Sequence, residues 1–325
     1  MRFIFPILTL LAASAHAEPQ PYLQKPTVSF RALTGADPKP VNPKVCYIGG
    51  YELVAHGTSE LDGLSDLHIF PEDGTLKVEA VSDYGAMAQF ELKAGGKGGY
   101  LDSPLEIDPL LDGDGKRFTY KNEADSEGMT TDPISGDRYV SFEGHQRVMK
   151  FAAKEAVWKG AGETLPLSGL PNFPANQGME AVAFIQEPKD DALLIGVESG
   201  GFWRCGLALN KCTEVKGPAT PGFLYMMTSL AVVDYDDPRH DHDILGLYRY
   251  YDPITGPRNV LRLLHLEGTT LSVVSDMVKI TPPLPVDNFE GVASLKTATG
   301  YRIFLISDSL KEDGKPKLLI FDWTP

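Results

Sequence analysis

The sequence contains few cysteines, few basic residues and no known catalytic signature. Only three cysteines occur among its 325 residues, and their spacing matches no zinc site. Lys and Arg total 30 against 44 Asp and Glu, a net charge of −14, which argues against nucleic acid or an anionic membrane surface as partner. Without a Gly-x-Ser-x-Gly elbow, a Walker-type loop or a His-Glu-x-x-His motif, the usual signals of serine hydrolases, P-loop enzymes and zincins are missing.

Long apolar runs are also missing, apart from a short one at the start of the chain. Residues 3–11 are apolar, follow Met1-Arg2 and precede Ala15-His16-Ala17, which is the pattern of a secretory signal peptide. A membrane-spanning helix needs about 20 apolar residues, so no span is expected. We therefore predict cleavage after Ala17 and a periplasmic or secreted protein.

One predicted hairpin, residues 125–144, sets the pattern for the rest of the chain. Asp125-Ser126-Glu127-Gly128-Met129-Thr130 and Arg138-Tyr139-Val140-Ser141-Phe142-Glu143 read as two strands, and the turn chemistry lies between them at residues 132–137. In a hairpin, the first residue of one strand lies beside the last residue of the other. Glu127 and Glu143 are therefore expected to be neighbours at the open end.

The same order of an acid, a small residue, an apolar residue and a small residue recurs along the chain. Copies open at Asp62-Gly63-Leu64-Ser65, Glu127-Gly128-Met129-Thr130, Glu180-Ala181-Val182-Ala183 and Glu290-Gly291-Val292-Ala293. After a hairpin turn each copy reaches a second acid, namely Asp83, Glu143, Glu198 and Asp308. A degraded copy opens at Thr228 and reaches Arg249. Such repetition of a few strands predicts an all-β fold, a β-propeller of five to six blades.

The remaining segments predict how this propeller closes. Residues 18–44 are a proline-rich lead-in, and residues 45–325 form the single propeller domain. The strand at 45–55 is expected to close the ring against the strand at 317–323, which removes exposed sheet edges. Further strands are predicted at 27–33, 87–92, 147–151, 201–207, 261–266 and 271–274, and the one helical candidate is 152–158. Strands from the two termini are a candidate sixth blade, so the repeats leave five and six blades open.

In a propeller the inner strands point along one axis, so their repeated acids should meet at one mouth of the central channel. The expected metal ligands are Asp62, Asp83, Asp125, Glu127, Glu143, Glu180, Glu198, Glu290 and Asp308. Converging carboxylates repel one another, so protons or cations must balance them. A sulfur-free set of oxygen ligands suits a hard cation, and we predict Ca²⁺, with Asn176 and Asn288 as neutral ligands.

Other polar residues have two interpretations each. Arg249 either grips an anionic substrate beside the metal or serves as a counter-ion of the acids, and Arg258 follows nine residues later. His145 is either a general acid/base or, the favoured interpretation, a solvated loop residue. The acidic and histidine-rich residues 236–243 are interpreted as a solvated turn at the opposite end. Cys205 and Cys212 flank a hairpin tip, where a disulfide and two separate thiols are both open, and Cys46 is expected to be buried.

Four motifs together resemble the phytase-like domain family, named for the esterase-like activity of phytase. They are Asp62-Gly63-Leu64-Ser65 with Val81-Ser82-Asp83, Asp125-Ser126-Glu127-Gly128-Met129, Asn176-Gln177-Gly178-Met179-Glu180-Ala181 and Asp287-Asn288-Phe289-Glu290-Gly291-Val292. The resemblance implies an exported bacterial propeller with an acidic calcium-binding face and hydrolysis of phosphate esters. This chain departs from the family at Tyr248-Arg249, where the family commonly has Glu-Arg.

Three functions follow as hypotheses. The first is an exported, calcium-dependent phosphoesterase-like hydrolase acting on a small anionic ester, with Glu127, Glu143, Glu180 and Arg249 as catalytic residues. The second is a lactonase resembling the gluconolactonase propellers. The third is a non-catalytic propeller that calcium merely stabilises. The oligomeric state is left open by the sequence.

Overall fold

The computed structural model describes residues 25–34, 37–153, 157–174, 177–234, 236, 242–309 and 314–325. The predicted signal peptide, Asn176 and residues 237–241 lie outside the described residues. Residues 154–156 of the predicted helix 152–158 also lie outside the described residues. The end of that predicted helix overlaps a 3-10 helix at Val157–Lys159. Across the described ranges, no helix has the length and apolar character needed to cross a membrane.

Strands dominate the described chain, and its one α-helix is α1 (Lys121–Ala124). The first part contains β1 (Thr27–Ala32), β2 (Lys39–Asn42), β3 (Val45–His56), β4 (Leu64–Glu72), β5 (Thr75–Ser82), β6 (Ala86–Leu92), β7 (Ser103–Pro104), β8 (Glu106–Pro109), β9 (Ser126–Thr131), β10 (Arg138–Phe142), β11 (Arg147–Phe151) and β12 (Glu163–Thr164). The second part contains β13 (Met179–Ile185), β14 (Ala192–Val197), β15 (Phe202–Gly206), β16 (Lys211–Val215), β17 (Met226–Val232), β18 (Asp243–Tyr250), β19 (Arg258–Glu267), β20 (Thr270–Ile280), β21 (Asn288–Thr297), β22 (Gly300–Asp308) and β23 (Lys317–Trp323).

These strands form five antiparallel sheets, which are the blades of a β-propeller. Blades 1 to 4 have the strand orders β4-β5-β6-β8, β9-β10-β11-β12, β13-β14-β15-β16 and β17-β18-β19-β20. Blade 5 has the order β21-β22-β23-β3-β1-β7, with β2 paired to β3. Each predicted repeat therefore opens one blade, and the all-β prediction is confirmed.

Strands from the two ends of the chain close the ring, as predicted. In blade 5, β23 pairs with β3 over Lys317↔Glu52 to Trp323↔Val45. These strands complete the fifth blade, so the described chain has five blades and the terminal strands form no sixth. β1 and β2, which lie in the predicted lead-in, pair with β3 in the same sheet.

The hydrophobic core lies between the blades. Five separate clusters of buried apolar side chains occur, and each one joins two neighbouring blades. Blades packed on both faces need strands without polar alternation. β14 has the sequence Ala-Leu-Leu-Ile-Gly-Val, and every one of its residues is buried.

The inner strands β4, β9, β13, β17 and β21 converge on the axis. Each contacts the next, and β21 returns to β4. Convergence demands small residues: a Cβ on Gly291 would lie 2.7 Å from the Cα of Asp66, and one on Gly128 would lie 2.8 Å from the carbonyl O of Glu180. A side chain at either position would collide with backbone of the neighbouring blade.

The two hairpin cysteines form a disulfide. Cys205 and Cys212 are paired across β15 and β16 and are covalently linked, which settles the alternative left open by their spacing. Cys46 was expected to be buried, but it is only half-buried. Its Sγ donates to the carbonyl O of Tyr47 at 3.6 Å.

Candidate functional site

Every blade has a β-bulge near the start of its inner strand. The register shifts between Leu64 and Asp66, between Met179 and Ala181, between Met227 and Ser229 and between Phe289 and Gly291. In blade 2, Glu127 and Gly128 together lie opposite Ser141. A bulge inserts one extra residue and redirects its side chain. The extra residues of blades 1 to 5 are Ser65, Glu127, Glu180, Thr228 and Glu290.

A second position lies at or just beyond the end of the second strand in every blade, one residue after the partner of the residue that precedes the bulge. It is occupied in blades 1 to 5 by Asp83, Glu143, Glu198, Arg249 and Asp308. The predicted equivalence of these residues is correct. The predicted equivalence of Asp62 with Glu127 is wrong, because the bulge places Ser65 there. Asp62 lies three residues earlier, yet its charge still acts on Asp83 and Asp308.

Five of the nine predicted acids gather into two groups that share Glu143. Asp125, Glu127 and Glu143 form one group, and Glu143, Glu180 and Glu198 form the other. Within each group, one carboxylate oxygen per residue lies within 4.8 Å of the others. The predicted neighbourhood of Glu127 and Glu143 at the open end of their hairpin is therefore present.

The remaining acids, Asp62, Asp83, Glu290 and Asp308, belong to blades 1 and 5. Together with the two groups they form the acidic cluster. Burial, opposed by Arg249 and reinforced by Asp308 and Asp83, raises the pKa of Glu290 to about 8. Burial, with Asp83 and Asp62, raises the pKa of Asp308 to about 6. For Glu127 and Glu180, burial and the neighbouring carboxylates raise the pKa well above its ordinary value.

Arg249 lies among these acids as their counter-ion. Its Nη1 donates to Oε1 of Glu290 at 2.5 Å and to Oδ1 of Asn288 at 2.9 Å, and its Nη2 donates to Oε1 of Glu198 at 3.2 Å. Asn288 in turn donates to Glu290 at 2.8 Å. A guanidinium has five N–H groups. Three of those of Arg249 bond the described residues named above, and two are left for another acceptor. Burial lowers the pKa of Arg249, but the surrounding glutamates outweigh it and the net shift is upward.

A second cation, Lys121 of α1, was not anticipated from the repeats. Its Nζ lies 3.0 Å from Oδ2 of Asp83 and also bonds Oδ1 of Asp125. The same Nζ lies 5.4 Å from the centre of the Tyr84 ring. Because α1 is in the connection between blades 1 and 2, no repeat position could have indicated it.

Asp66 also escaped the sequence analysis, although it joins the blades at the axis. Its Oδ1 accepts from the Leu67 N–H at 2.9 Å and the Ser229 hydroxyl at 2.9 Å, and its Oδ2 accepts from the Met129 N–H at 2.8 Å. Ser229 in turn accepts from the Val292 N–H at 3.2 Å. Four inner strands are thus linked. The position of Asp66 was the available signal in the sequence. Asp66 comes directly after the bulge, where the other blades have Gly, Ala or Ser.

Several other candidates lie away from the acidic cluster. His145 is exposed, and Arg258 lies near Tyr225. At the opposite end of β17, the Asp236 N–H bonds Asp234, and Asp243 bonds His265 at 2.7 Å. Neither of the two clusters that could hold a metal among the described residues includes any of these side chains.

The acidic cluster fits a hard cation. Its donors are carboxylate oxygens without sulfur, the set that calcium or magnesium prefers. Oδ1 of Asp83 is buried without a hydrogen-bond partner among the described atoms, and a bound cation would satisfy it. The Gly178 N–H holds Oε1 of Glu143 at 2.9 Å, which orients the carboxylate that both groups share.

The raised pKa values predict how the metal-free protein responds to pH. Between about pH 4.5 and 8 the folded protein holds a proton on Glu290 that the unfolded chain has lost. The free energy of unfolding should therefore fall as pH rises through this window, by at most about 1.4 kcal/mol per pH unit for one proton. Urea unfolding in EDTA at pH 5, 6, 7 and 8 measures it. Glu290→Gln should flatten the slope, and stability that rises toward pH 8 would contradict the prediction.

Comparisons with known proteins agree with the fold. The family model described as phytase-like, "esterase-like activity of phytase", matches residues 59–309. No curated protein matches the chain. The catalytic domain of a GH62 alpha-L-arabinofuranosidase from Coprinopsis cinerea is similar in structure, with TM-score 0.52 and 9% identity over 91% of this chain and 97% of that one. The major allergen Mala s 1 of Malassezia sympodialis has TM-score 0.46 and 12% identity over 92% of this chain and 96% of that one. At such identities the likeness concerns the fold alone.

Proposed function

Because the chain belongs to the phytase-like family, we propose that it is an exported, calcium-dependent hydrolase of small phosphoric esters. The observation that carries the proposal is the pair of carboxylate groups that share Glu143. The signal-peptide pattern supports export. The Cys205–Cys212 disulfide supports it too, since disulfides persist in oxidising compartments.

The two carboxylate groups would hold calcium. Asp125, Glu127 and Glu143 would bind one ion, and Glu180 and Glu198 would join Glu143 around a second. Bound there, calcium would polarise a phosphoryl oxygen and lower the pKa of a coordinated water. Glu143 suits a bridging ligand, because it is buried and already oriented by the Gly178 N–H.

The chain's own residues would position the ester and move the proton. Arg249 neutralises Glu290 and Glu198 and retains two N–H groups for a phosphoryl oxygen. Glu127 or Glu180, through the carboxylate oxygen not used as a metal ligand, would accept a proton from the attacking water. The water oxygen bonds to phosphorus, the ester P–O bond breaks, and the departing alkoxide takes up a proton to leave as the alcohol.

Metal-dependent turnover tests this function. The mature protein, stripped with EDTA and reloaded with Ca²⁺, Mg²⁺ or Mn²⁺, is assayed on phenyl phosphate, glycerol phosphate, phytate and gluconolactone. We expect phosphate release from at least one monoester with Ca²⁺ and none in EDTA. Glu143→Gln should reduce kcat by about a hundredfold or more, since it disturbs both groups.

Glu163→Gln is the matched control, because Glu163 is exposed on the outer strand of the same blade. It should leave turnover unchanged. Hydrolysis of the lactone alone would replace the phosphoesterase by a lactonase. If calcium raised Tm while none of the four compounds was consumed, the protein would be a calcium-stabilised binding propeller and the proposal would be wrong.

A further inference from the structure

A cavity of about 440 Å³ opens beside the acidic cluster, between blade 1 and the connection that leads to blade 2. It reaches the cluster through Asp62, Ser82 and Tyr84. Ala86, Ile107, Pro109, Leu110 and Phe118 supply its apolar wall. A volume in this range, with apolar walls and a few polar groups, is typical of a small-molecule site.

Arg117 is the cation that lines this cavity. It is exposed, and no ion pair to it occurs among the described residues. The other cations nearby are engaged: Lys121 with Asp83 and Asp125, and Arg147 with the carbonyls of His145 and Glu123. An anion approaching from this side therefore finds one guanidinium ready to bind it.

Tyr84 lies at the junction of the cavity and the acidic cluster. The Lys121 ammonium lies 5.4 Å from the centre of the Tyr84 ring. The Asp83 carboxylate is the main cause of the raised pKa of the Tyr84 phenol. Nevertheless 60% of its surface is exposed. On the far wall, Phe118 is held edge-on against Phe142, with ring centres 5.5 Å apart. Two aromatic side chains thus border the cavity while one of them touches the cluster.

We infer that this cavity is the subsite for the alcohol portion of the substrate, and that it selects monoesters of small aromatic alcohols. The inference rests on the proposed function. The phosphoryl group would lie at the acidic cluster, and the aromatic ring would lie against Tyr84, Leu110 and Phe118. Arg117 would offset the repulsion between the anion and the carboxylates. Arg117 is the one guanidinium of the described chain that lines the cavity, which suits a ligand with a single phosphate, whereas an inositol carrying six would need many more cations.

Binding of two phosphonates tests the subsite without requiring turnover. Phenylphosphonate and methylphosphonate have the same anionic group and cannot be hydrolysed as esters. Isothermal titration of the calcium-loaded protein should show phenylphosphonate binding about tenfold tighter or better, because burying a ring is worth about 1.5 kcal/mol or more. Ala86→Phe, which fills the cavity, and Tyr84→Ala should each remove most of this preference. Arg117→Ala should weaken both phosphonates by about tenfold.

Matched controls lie next to the tested residues but do not line the cavity. Tyr120→Ala removes another largely exposed tyrosine, and Lys116→Ala removes the charge before Arg117. Both should leave the affinities unchanged. Equal affinity of the wild type for the two phosphonates would overturn the subsite, whatever the hydrolysis assay shows. A preference that Ala86→Phe abolishes supports the subsite, even if no ester is hydrolysed and the proposed function fails.

Discussion

Replacing Asp66 by alanine is expected to lower the free energy of unfolding by about 4 kcal/mol. The carboxyl group is fully buried and accepts hydrogen bonds from the Leu67 N–H, the Met129 N–H and the Ser229 hydroxyl. Its removal leaves three buried donors without an acceptor, and each costs about 1–3 kcal/mol. Because Met129 and Ser229 belong to blades 2 and 4, the loss acts at the axis of the whole propeller.

Equilibrium unfolding in urea measures this effect, and Asp252→Ala is its matched control. Asp252 also accepts three hydrogen bonds, from the Ile254 N–H, the Thr255 N–H and the Thr255 hydroxyl. It lies in an exposed turn, so water replaces the lost acceptor and the loss should be much smaller. Equal losses for the two variants would show that the axial carboxyl does not join the blades.

The double variant Glu127→Gln/Glu180→Gln should have opposite effects on the metal-free and calcium-loaded protein. Without metal, it removes two carboxyl groups that burial and like charges hold at a raised pKa, so Tm at pH 8 should rise. With calcium at about a thousand times the wild-type Kd, the wild type should gain about 4 kcal/mol of stability for each bound ion. The double variant, having lost one carboxylate from each group, should gain little.

Thermal unfolding in EDTA and in calcium separates these two effects. The control Glu163→Gln/Glu214→Gln changes the charge by the same amount at exposed positions on outer strands. It should keep the full calcium-induced rise in Tm. If the Glu127→Gln/Glu180→Gln protein also kept it, the carboxylate groups would not be the calcium site.

Much of the acidic cluster could be located from the sequence, because hairpins place their two ends side by side. Glu143, Glu198 and Asp308 lie at or just beyond the end of a second strand, and Glu127, Glu180 and Glu290 lie near the start of a first strand. Counting residues through each hairpin was enough to predict that these acids lie at the open end of their hairpins. It was not enough for Asp62, because the blade 1 motif matches the others in residue type three positions before the bulge, where Ser65 holds the equivalent place.

Arg249 shows a different limit of prediction from the sequence. The sequence marked it as the residue that breaks the acidic pattern, but left its role open between substrate clamp and counter-ion. The tertiary structure surrounds it with Glu290, Asn288 and Glu198 from two other blades. Those partners lie about 40 to 50 residues away along the chain, so no local pattern could have assigned them.

The sequence by itself determined the all-β class, the repeated blade, the closure of the ring by its two ends and the pairing of Glu127 with Glu143 at the open end of their hairpin. These features depend on strand periodicity and hairpin geometry, which act over short stretches of chain. Only the tertiary structure decided that Asp66 and Ser229 link the blades, that Lys121 and Tyr84 border the cluster, and that a cavity opens beside Arg117. Those features arise where segments distant in sequence pack together, and packing depends on side-chain shape and bulge position rather than on any repeat.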